Sequence, residues 1–326
     1  MFKYKMNHGA ATAFYVVLAS TFVVYFPNAW GACNQASNLS TIRVTQGSDC
    51  EMTVGPINDP TNVTTASWYY IGVSDAKLTL TNDANITYAP YGARFYAIHA
   101  TDGVDSLFGS TLNAKNMYID LKAPRENTEK YGLHIDNGAT FNADTLRIDI
   151  DVKNTGWLNT INSYGIVAGS GQYNQINPNW DDSAPFSYVN LKNLEININT
   201  DSASIIPGAS AGIRSGQYWD STANRAGAAG YVVVTGDTVI KTSGTYSPGG
   251  YISGGDSQDH FNNSKIVTAG SLSNAVKIGK NRDILTGSGK FFSYGFMDFD
   301  TTGSSNVATI QLLGDGSLFD ANANTS

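Results

Sequence analysis

The chain has 326 residues and a formal net charge of −7, and only 14% of its residues are charged. An acidic chain repels nucleic acid and anionic lipid headgroups, so neither is an expected partner. The 33 glycines suit a protein with many turns, and long patterns rich in Ala, Leu, Glu and Lys are missing, which disfavours an α/β domain and favours an all-β protein.

Residues 1–31 predict a signal peptide. Two lysines make a cationic start, residues 10–26 form a charge-free apolar run, and the small residues Ala29 and Gly31 suit a cleavage site. A transmembrane anchor is the alternative, but this run is at the short end for spanning a bilayer. We therefore expect export of a mature chain that has no membrane span of its own.

The two cysteines lie directly after this segment. Because an exported chain meets an oxidising compartment, Cys33 and Cys50 are predicted to form a disulfide. A loop of this length gives about 3 kcal/mol of stabilisation in the chain-entropy model. Lipidation of Cys33 is the alternative, disfavoured because Trp30 stands where such sites take an aliphatic residue. The disulfide would pin an N-terminal β cap over residues 32–67, which closes the first coil of a solenoid.

Two strand phrases alternate along residues 68–326. The first sets a small residue beside an aliphatic or aromatic one, and it occupies residues 94–100, 130–135, 163–168, 210–215 and 249–254. The second alternates polar and apolar residues, and it occupies residues 116–121, 145–150, 193–198 and 238–242. Alternation at period two indicates half-buried strands.

The spacing of these phrases predicts the architecture. Two strand types that recur at irregular intervals indicate an all-β, right-handed, single-stranded parallel β-helix with variable corners. With roughly 22 residues per coil, the mature chain would make about 13 coils. A β-sandwich is the alternative, but its hairpin turns recur about every 8–12 residues, and the spacings here are larger.

The chain resembles the passenger region of a Gram-negative autotransporter over residues 68–313. Tyr-Gly-Ile and Ala-Gly-Ile strands alternating with a Thr-Val-Ile-Lys-Thr-Ser-Gly strand, behind an export signal and a small cap, carry the resemblance. It implies an adhesin-like passenger at the cell surface or outer membrane, carried outward by a C-terminal translocator barrel. The chain ends at Ser326 without barrel-type strands or a terminal aromatic residue. We therefore expect a passenger truncated at its C-terminus, with a translocator barrel in the full-length protein.

Three corner insertions follow copies of the first phrase, and they open at Ser170, Ser215 and Ser253. Insertions at one corner of successive coils stack on one side of a solenoid, which predicts a contact strip for a glycan or a protein. The predicted binding residues are aromatic, acidic or imidazole side chains: Tyr173, Trp180, Asp181, Asp182, Tyr218, Trp219 and His260. Solvated loops whose aromatic residues cover the core are the alternative interpretation.

A β-helical carbohydrate-active enzyme, either a polysaccharide lyase or a glycoside hydrolase, is the alternative function. Asp181-Asp182 and the segment 199–201 resemble two carboxylate motifs of polygalacturonases, but in reversed order and without that family's Gly-His-Gly and Arg-Ile-Lys segments. Asp149 and Asp151 share one strand face, as paired acids require, and a solvated β-helix face has the same appearance.

The sequence gives little support for nucleophilic catalysis or for metal binding. Ser257 follows Gly255-Asp256 as a nucleophile does in secreted serine proteases and lipases, but Gln258 follows it where those families have Gly or Leu. The mature histidines are scattered along the sequence, so no metal site, catalytic residue or cofactor is expected. The leading hypothesis is a non-enzymatic adhesin whose partner is a host glycan, a surface protein or a second copy of itself.

Overall fold

A computed structural model describes residues 34–35, 42–45, 47–59, 69–88, 95–101, 110–123, 130–152, 163–169, 186–200, 210–216, 229–253, 257–279, 289–302, 307–314 and 316–321. The described residues form strands and turns without a helix. The strands are β1 (Asn34–Gln35), β2 (Ile42–Thr45), β3 (Asp49–Met52), β4 (Ile57–Asp59), β5 (Tyr69–Ser74), β6 (Lys77–Leu80), β7 (Ala84–Tyr88), β8 (Phe95–Thr101), β9 (Thr111–Ala123), β10 (Lys130–Asp136), β11 (Thr140–Val152), β12 (Ser163–Ala168), β13 (Ser187–Thr200), β14 (Ala211–Ser215), β15 (Gly230–Thr242), β16 (Gly250–Ile252), β17 (Ser257–Thr268), β18 (Val276–Gly279), β19 (Gly289–Ser293), β20 (Met297–Asp300), β21 (Ile310–Leu313) and β22 (Leu318–Asp320).

These strands build two sheets between which the chain alternates. Sheet A has ten strands in the order β1-β2-β5-β8-β10-β12-β14-β16-β18-β21. Sheet B has twelve strands, with β22-β19-β17-β15-β13-β11-β9-β6-β3 as its path and β4, β7 and β20 pairing beside it. The β1–β2 pair is antiparallel, and the other described pairs are parallel. The all-β prediction is confirmed, and the parallel pairing is compatible with a β-helix and excludes the sandwich.

Each repeat contributes one strand to sheet A and then one strand, in places divided in two, to sheet B. The two phrases of the sequence are these two strands: Tyr96, Tyr131 and Tyr164 align across sheet A. The described strands make nine such repeats. Parallel register partners in sheet A are from 26 residues apart, as for Gly250 and Val276, to 47 residues apart, as for Ile166 and Ile213. The estimate of 22 residues per coil is therefore wrong, because the corners add more residues than the strands alone require.

The same two sheets extend N-terminal to residue 68. In the range predicted as a cap, β2 pairs in parallel with β5 and β3 pairs in parallel with β6. Cys50 on β3 is buried and is not a free thiol. Its predicted partner Cys33, like the predicted signal peptide, lies outside the described residues, so the pairing stays a prediction.

The core lies between the two sheets, and it explains the glycine of the first phrase. On β11 the inward residues Ile148 and Ile150 are buried, as alternation predicts. A Cβ built on Gly165 would lie 2.7 Å from Ile196 Cγ2 in sheet B and 2.5 Å from the carbonyl oxygen of Gly212 in the next repeat. The sheets approach so closely there that a side chain does not fit.

The two sheets differ in how accessible their outward side chains are. Every residue of β10, β12 and β14 in sheet A is buried. In sheet B the pattern alternates, so that on β17 Asp259 and Phe261 are buried while Gln258 and His260 are partly exposed. Sheet B therefore presents the accessible flat face of the described molecule.

Candidate functional site

A groove lies on the outward face of sheet B, where aromatic side chains from successive repeats come together. We call it the sheet B groove; it encloses about 540 Å³. It is lined by Tyr188, Asn190, Tyr231, Val233, Val234, Thr235, His260, Asn262 and Tyr294. Parallel register produces this arrangement, because Tyr188 aligns with Tyr231 and Asn190 aligns with Val233 across neighbouring strands.

Stacked rings form one side of the groove. The rings of Tyr188 and Tyr231 lie 5.4 Å apart between centroids, at an interplanar angle of 28°. Phe186, directly before β13, meets the Tyr231 ring edge-on at 5.1 Å. Phe186 and Tyr188 are 41% and 38% exposed. These rings therefore present a rigid apolar surface to solvent with polar groups at its edge.

On the other side of the groove, His260 belongs to a chain of hydrogen bonds. Gln258 Nε2 donates to the Tyr231 hydroxyl at 3.2 Å, so Gln258 Oε1 faces His260 Nε2 at 3.0 Å. An amide oxygen only accepts, so Nε2 carries the imidazole proton. Nδ1 then accepts from the Tyr294 hydroxyl at 2.7 Å. The chain fixes the tautomer of His260 and the orientations of the groups around it.

The imidazole of His260 is kept neutral by its surroundings. Its ring stacks on Phe292 at 4.5 Å and an interplanar angle of 16°. Burial lowers the pKa of His260 below its usual value. Near pH 7 the groove therefore offers a neutral imidazole among aromatic rings and amides.

An amide ladder leads along the same face into the groove. Asn190 Nδ2 donates to Asn142 Oδ1 at 2.9 Å, and Asn142 Nδ2 donates to Asn113 Oδ1 at 2.8 Å. These residues occupy equivalent positions on β13, β11 and β9. Since Asn190 also lines the groove, the rings and the amides form one continuous surface.

The corner insertions begin where the sequence predicts a shared corner. Gly216 N donates to Ala168 O, and Ser253 N donates to Ser215 O, both at 2.8 Å. The three insertions thus begin at equivalent positions of successive repeats. These positions lie beside the N-terminal ends of β13, β15 and β17, where the groove residues are located. Six predicted binding residues lie outside the described residues: Tyr173, Trp180, Asp181, Asp182, Tyr218 and Trp219.

The third insertion is shorter than predicted, and His260 is not in a loop. The interpretation of residues 253–264 as a corner insertion is wrong, because β17 begins at Ser257. His260 points outward from the middle of a strand of sheet B. The buried acid Asp259 replaces an apolar residue at an inward position and hid the strand pattern.

Two of the acidic residues considered for an enzyme, Asp149 and Asp151, contact neighbouring side chains; the others, Asp181, Asp182 and Asp201, lie outside the described residues. Asp149 accepts from Arg147 Nε at 2.9 Å and from Asn197 Nδ2 at 2.7 Å. Asp151 accepts from Asn199 Nδ2 at 3.1 Å. The two carboxylates belong to a ladder of charges and amides across strands, so their arrangement has a structural explanation.

No protein-family profile, curated protein sequence or solved structure matches this chain. Within the part of the chain that the structure describes, no helix is long and apolar enough to cross a membrane. The functional interpretation therefore depends on the geometry of the sheets and their side chains.

Proposed function

We propose that this protein is a secreted or surface-displayed, non-enzymatic adhesin that binds a glycan through the sheet B groove. The stack of the exposed Tyr188 on the partly buried Tyr231, beside the His260 hydrogen-bond chain, is the observation that carries the proposal. The signal-like residues 1–31 and the resemblance to autotransporter passengers support export to the cell surface, with a translocator barrel in the full-length protein.

The chemistry of the groove suits a sugar. A pyranose ring has an apolar C–H face and a rim of hydroxyl groups. It can therefore pack against aromatic rings and form hydrogen bonds at the same time. The tyrosine rings supply apolar contact at low entropic cost. Asn190 and His260 supply both hydrogen-bond donors and acceptors for hydroxyl groups. Because burial keeps His260 neutral, the groove selects for uncharged polar groups rather than for anions.

The finer architecture forms part of the same proposal. We infer a right-handed β-helix, because parallel crossover connections are right-handed in about 98% of cases. A Cys33–Cys50 disulfide would fasten the N-terminal end, where the predicted cap of residues 32–67 includes the first repeat, formed by β2, β3 and β4. The predicted insertions that open at Ser170 and Ser215 carry the further aromatic and acidic residues that the sequence singles out for binding.

A pair of tyrosine variants tests the proposal. Tyr188→Ala removes a ring of the groove, and Tyr118→Ala removes a ring on the same face of sheet B but outside the groove; both tyrosines are 38% exposed. Binding of the purified mature chain to a glycan array, and then to the glycans it selects, is the measurement. A central aromatic contact contributes about 2 kcal/mol or more, so Tyr188→Ala should lower affinity more than about tenfold. Tyr118→Ala should bind as the parent chain does.

Three outcomes would contradict the proposal. Equal losses in the two variants, or no loss in either, would place the binding surface elsewhere. Absence of glycan binding together with saturable binding to a host protein would replace the ligand class. Turnover of an acidic polysaccharide that Asp181→Asn abolishes would favour the enzyme.

A further inference from the structure

Two histidines that are far apart in the sequence occupy equivalent positions on neighbouring strands of sheet A. His99 on β8 aligns with His134 on β10. Their rings are stacked, with centroids 4.9 Å apart and an interplanar angle of 27°. Asp136 lies two residues beyond His134, so its side chain is on the same side of the strand. The expectation of scattered histidines therefore does not describe the folded chain.

The three side chains place their potential ligand atoms close together. Asp136 Oδ2 lies 3.4 Å from His99 Nε2 and 3.7 Å from His134 Nδ1. All three ligand atoms lie within 4.8 Å of one another. Zinc–nitrogen and zinc–oxygen bonds of about 2.0–2.1 Å put the donors of a tetrahedral site about 3.4 Å apart. The two distances to Asp136 are thus already close to the edge of such a tetrahedron.

Two side chains of the cluster are buried, and the third is partly exposed. The side chains of His134 and Asp136 are only 2% and 3% exposed, whereas that of His99 is 18% exposed. A divalent cation bound between the three side chains would add favourable charge beside this buried carboxylate. The more exposed His99 side is the way in for an ion.

Neighbouring rings hold the two imidazoles in place. The Tyr96 ring stacks on His99 at 5.0 Å and on His134 at 4.9 Å. These contacts keep both imidazoles beside Asp136, within a short rotation of a shared ion. The site thus has a buried carboxylate, two adjacent imidazoles and a partly open side.

We propose that His99 Nε2, His134 Nδ1 and the Asp136 carboxylate bind one divalent transition-metal ion of the zinc class. Two imidazoles and one carboxylate suit zinc, and water completes the coordination on the His99 side. Binding requires the stacked rings to rotate until both nitrogen lone pairs converge on the ion. The bound ion then cross-links β8 and β10, which belong to two neighbouring repeats.

Zinc titration of the whole mature chain tests this site. After removal of metals with EDTA, calorimetry should show one zinc ion bound per chain, and zinc should raise the melting temperature. The absorption spectrum of the cobalt-substituted protein should indicate four-coordination. Loss of an outer partner alone costs metal sites about 10–100-fold in affinity, so His99→Asn should weaken zinc binding by at least about tenfold. His260→Asn is the matched control and should bind zinc normally.

Three further results decide against the site. Zinc uptake that is not saturable, or equal affinity in His99→Asn and the parent chain, overturns the proposal. Loss of zinc binding in His260→Asn alone moves the ion to sheet B and overturns it too. Asp136→Asn should lose binding as well; if this buried variant does not fold in EDTA, the comparison of His99→Asn with His260→Asn decides.

Discussion

Gly249 directly precedes β16, and Gly250 is the first residue of that strand. Alanine should destabilise the protein at Gly249 and should be neutral or stabilising at Gly250. A Cβ on Gly249 would overlap the Ile266 Cγ2 methyl group of sheet B and would lie 2.8 Å from the carbonyl oxygen of Ala275. A Cβ on Gly250 would meet no atom within 4 Å. Neither glycine has a positive φ, so alanine is not strained in the backbone at either position.

The magnitudes follow from these distances. Inserting a methyl group into a packed core costs about 1–3 kcal/mol, and Gly249→Ala should reach the upper end because one obstacle is backbone and the other is β-branched. Gly250→Ala should be neutral or should stabilise the protein by up to about 1 kcal/mol, since alanine restricts the unfolded chain. The two variants should therefore differ by about 3 kcal/mol or more.

Urea unfolding of the two variants, followed by far-UV circular dichroism, measures this difference. Because long repeat arrays can unfold in parts, hydrogen exchange across β16, β17 and β18 should accompany it and should show the loss locally. Equal stabilities within about 0.5 kcal/mol would show that the two sheets are not in close contact at Gly249. The explanation of the recurring glycine would then fail for the whole first phrase.

Two further predictions concern ionisable groups. Asp259 is fully buried, and burial raises its pKa to about 7, above its ordinary 3.8. The folded state thus favours the neutral acid. The stabilisation that comes from protonated Asp259 is complete below pH 4 and is lost as the pH rises through 7. This loss lowers the free energy of unfolding by an amount on the order of 4 kcal/mol. Asp259→Asn should consequently be more stable than the parent chain at pH 8 but not at pH 4, as compared by urea unfolding, and a constant difference would refute the role of burial. Phe292→Ala should expose the His260 ring, so that its pKa rises towards the ordinary value of about 6.5 in an NMR titration; an unchanged pKa would show that burial by Phe292 is not the cause.

The sequence predicts the two sheets well because their pattern is local. Alternation at period two identifies the strands around Ile148 and Ile196, and the small residue before an aliphatic one identifies the strands at Gly132 and Gly165. These signals depend on the contacts of each strand with the core, which every repeat meets in the same way. The intervals from Gly132 to Gly165 and from Gly165 to Gly212 already give the register of sheet A and therefore the length of these coils, which the estimate of 22 residues does not use.

The groove and the histidine pair could not be found in the same way. Tyr188, Tyr231 and Tyr294 belong to different repeats; Tyr188 and Tyr231 are each an ordinary outward residue of a strand, and Tyr294 directly follows β19. Only the register of sheet B brings them together, and that register depends on corners of different lengths. For His99 and His134 a signal did exist, because they stand at the same position of two consecutive copies of the first phrase.

Parallel in-register stacking explains why both candidate sites run across repeats. Equivalent residues of neighbouring strands lie about 4.8 Å apart, so each outward position becomes a ladder of side chains. Amides suit such a ladder, since Asn142 both donates and accepts between its two neighbours.

Like charges do not suit such a ladder. Asp120 aligns with Asp149, and the pair is compensated by Lys122, 3.0 Å from Asp120, and by Arg147, 2.9 Å from Asp149. His99 and His134 form another ladder position, beside the buried carboxylate of Asp136. The proposed metal ion between these two histidines would therefore depend on the same stacking that aligns the tyrosines of the groove.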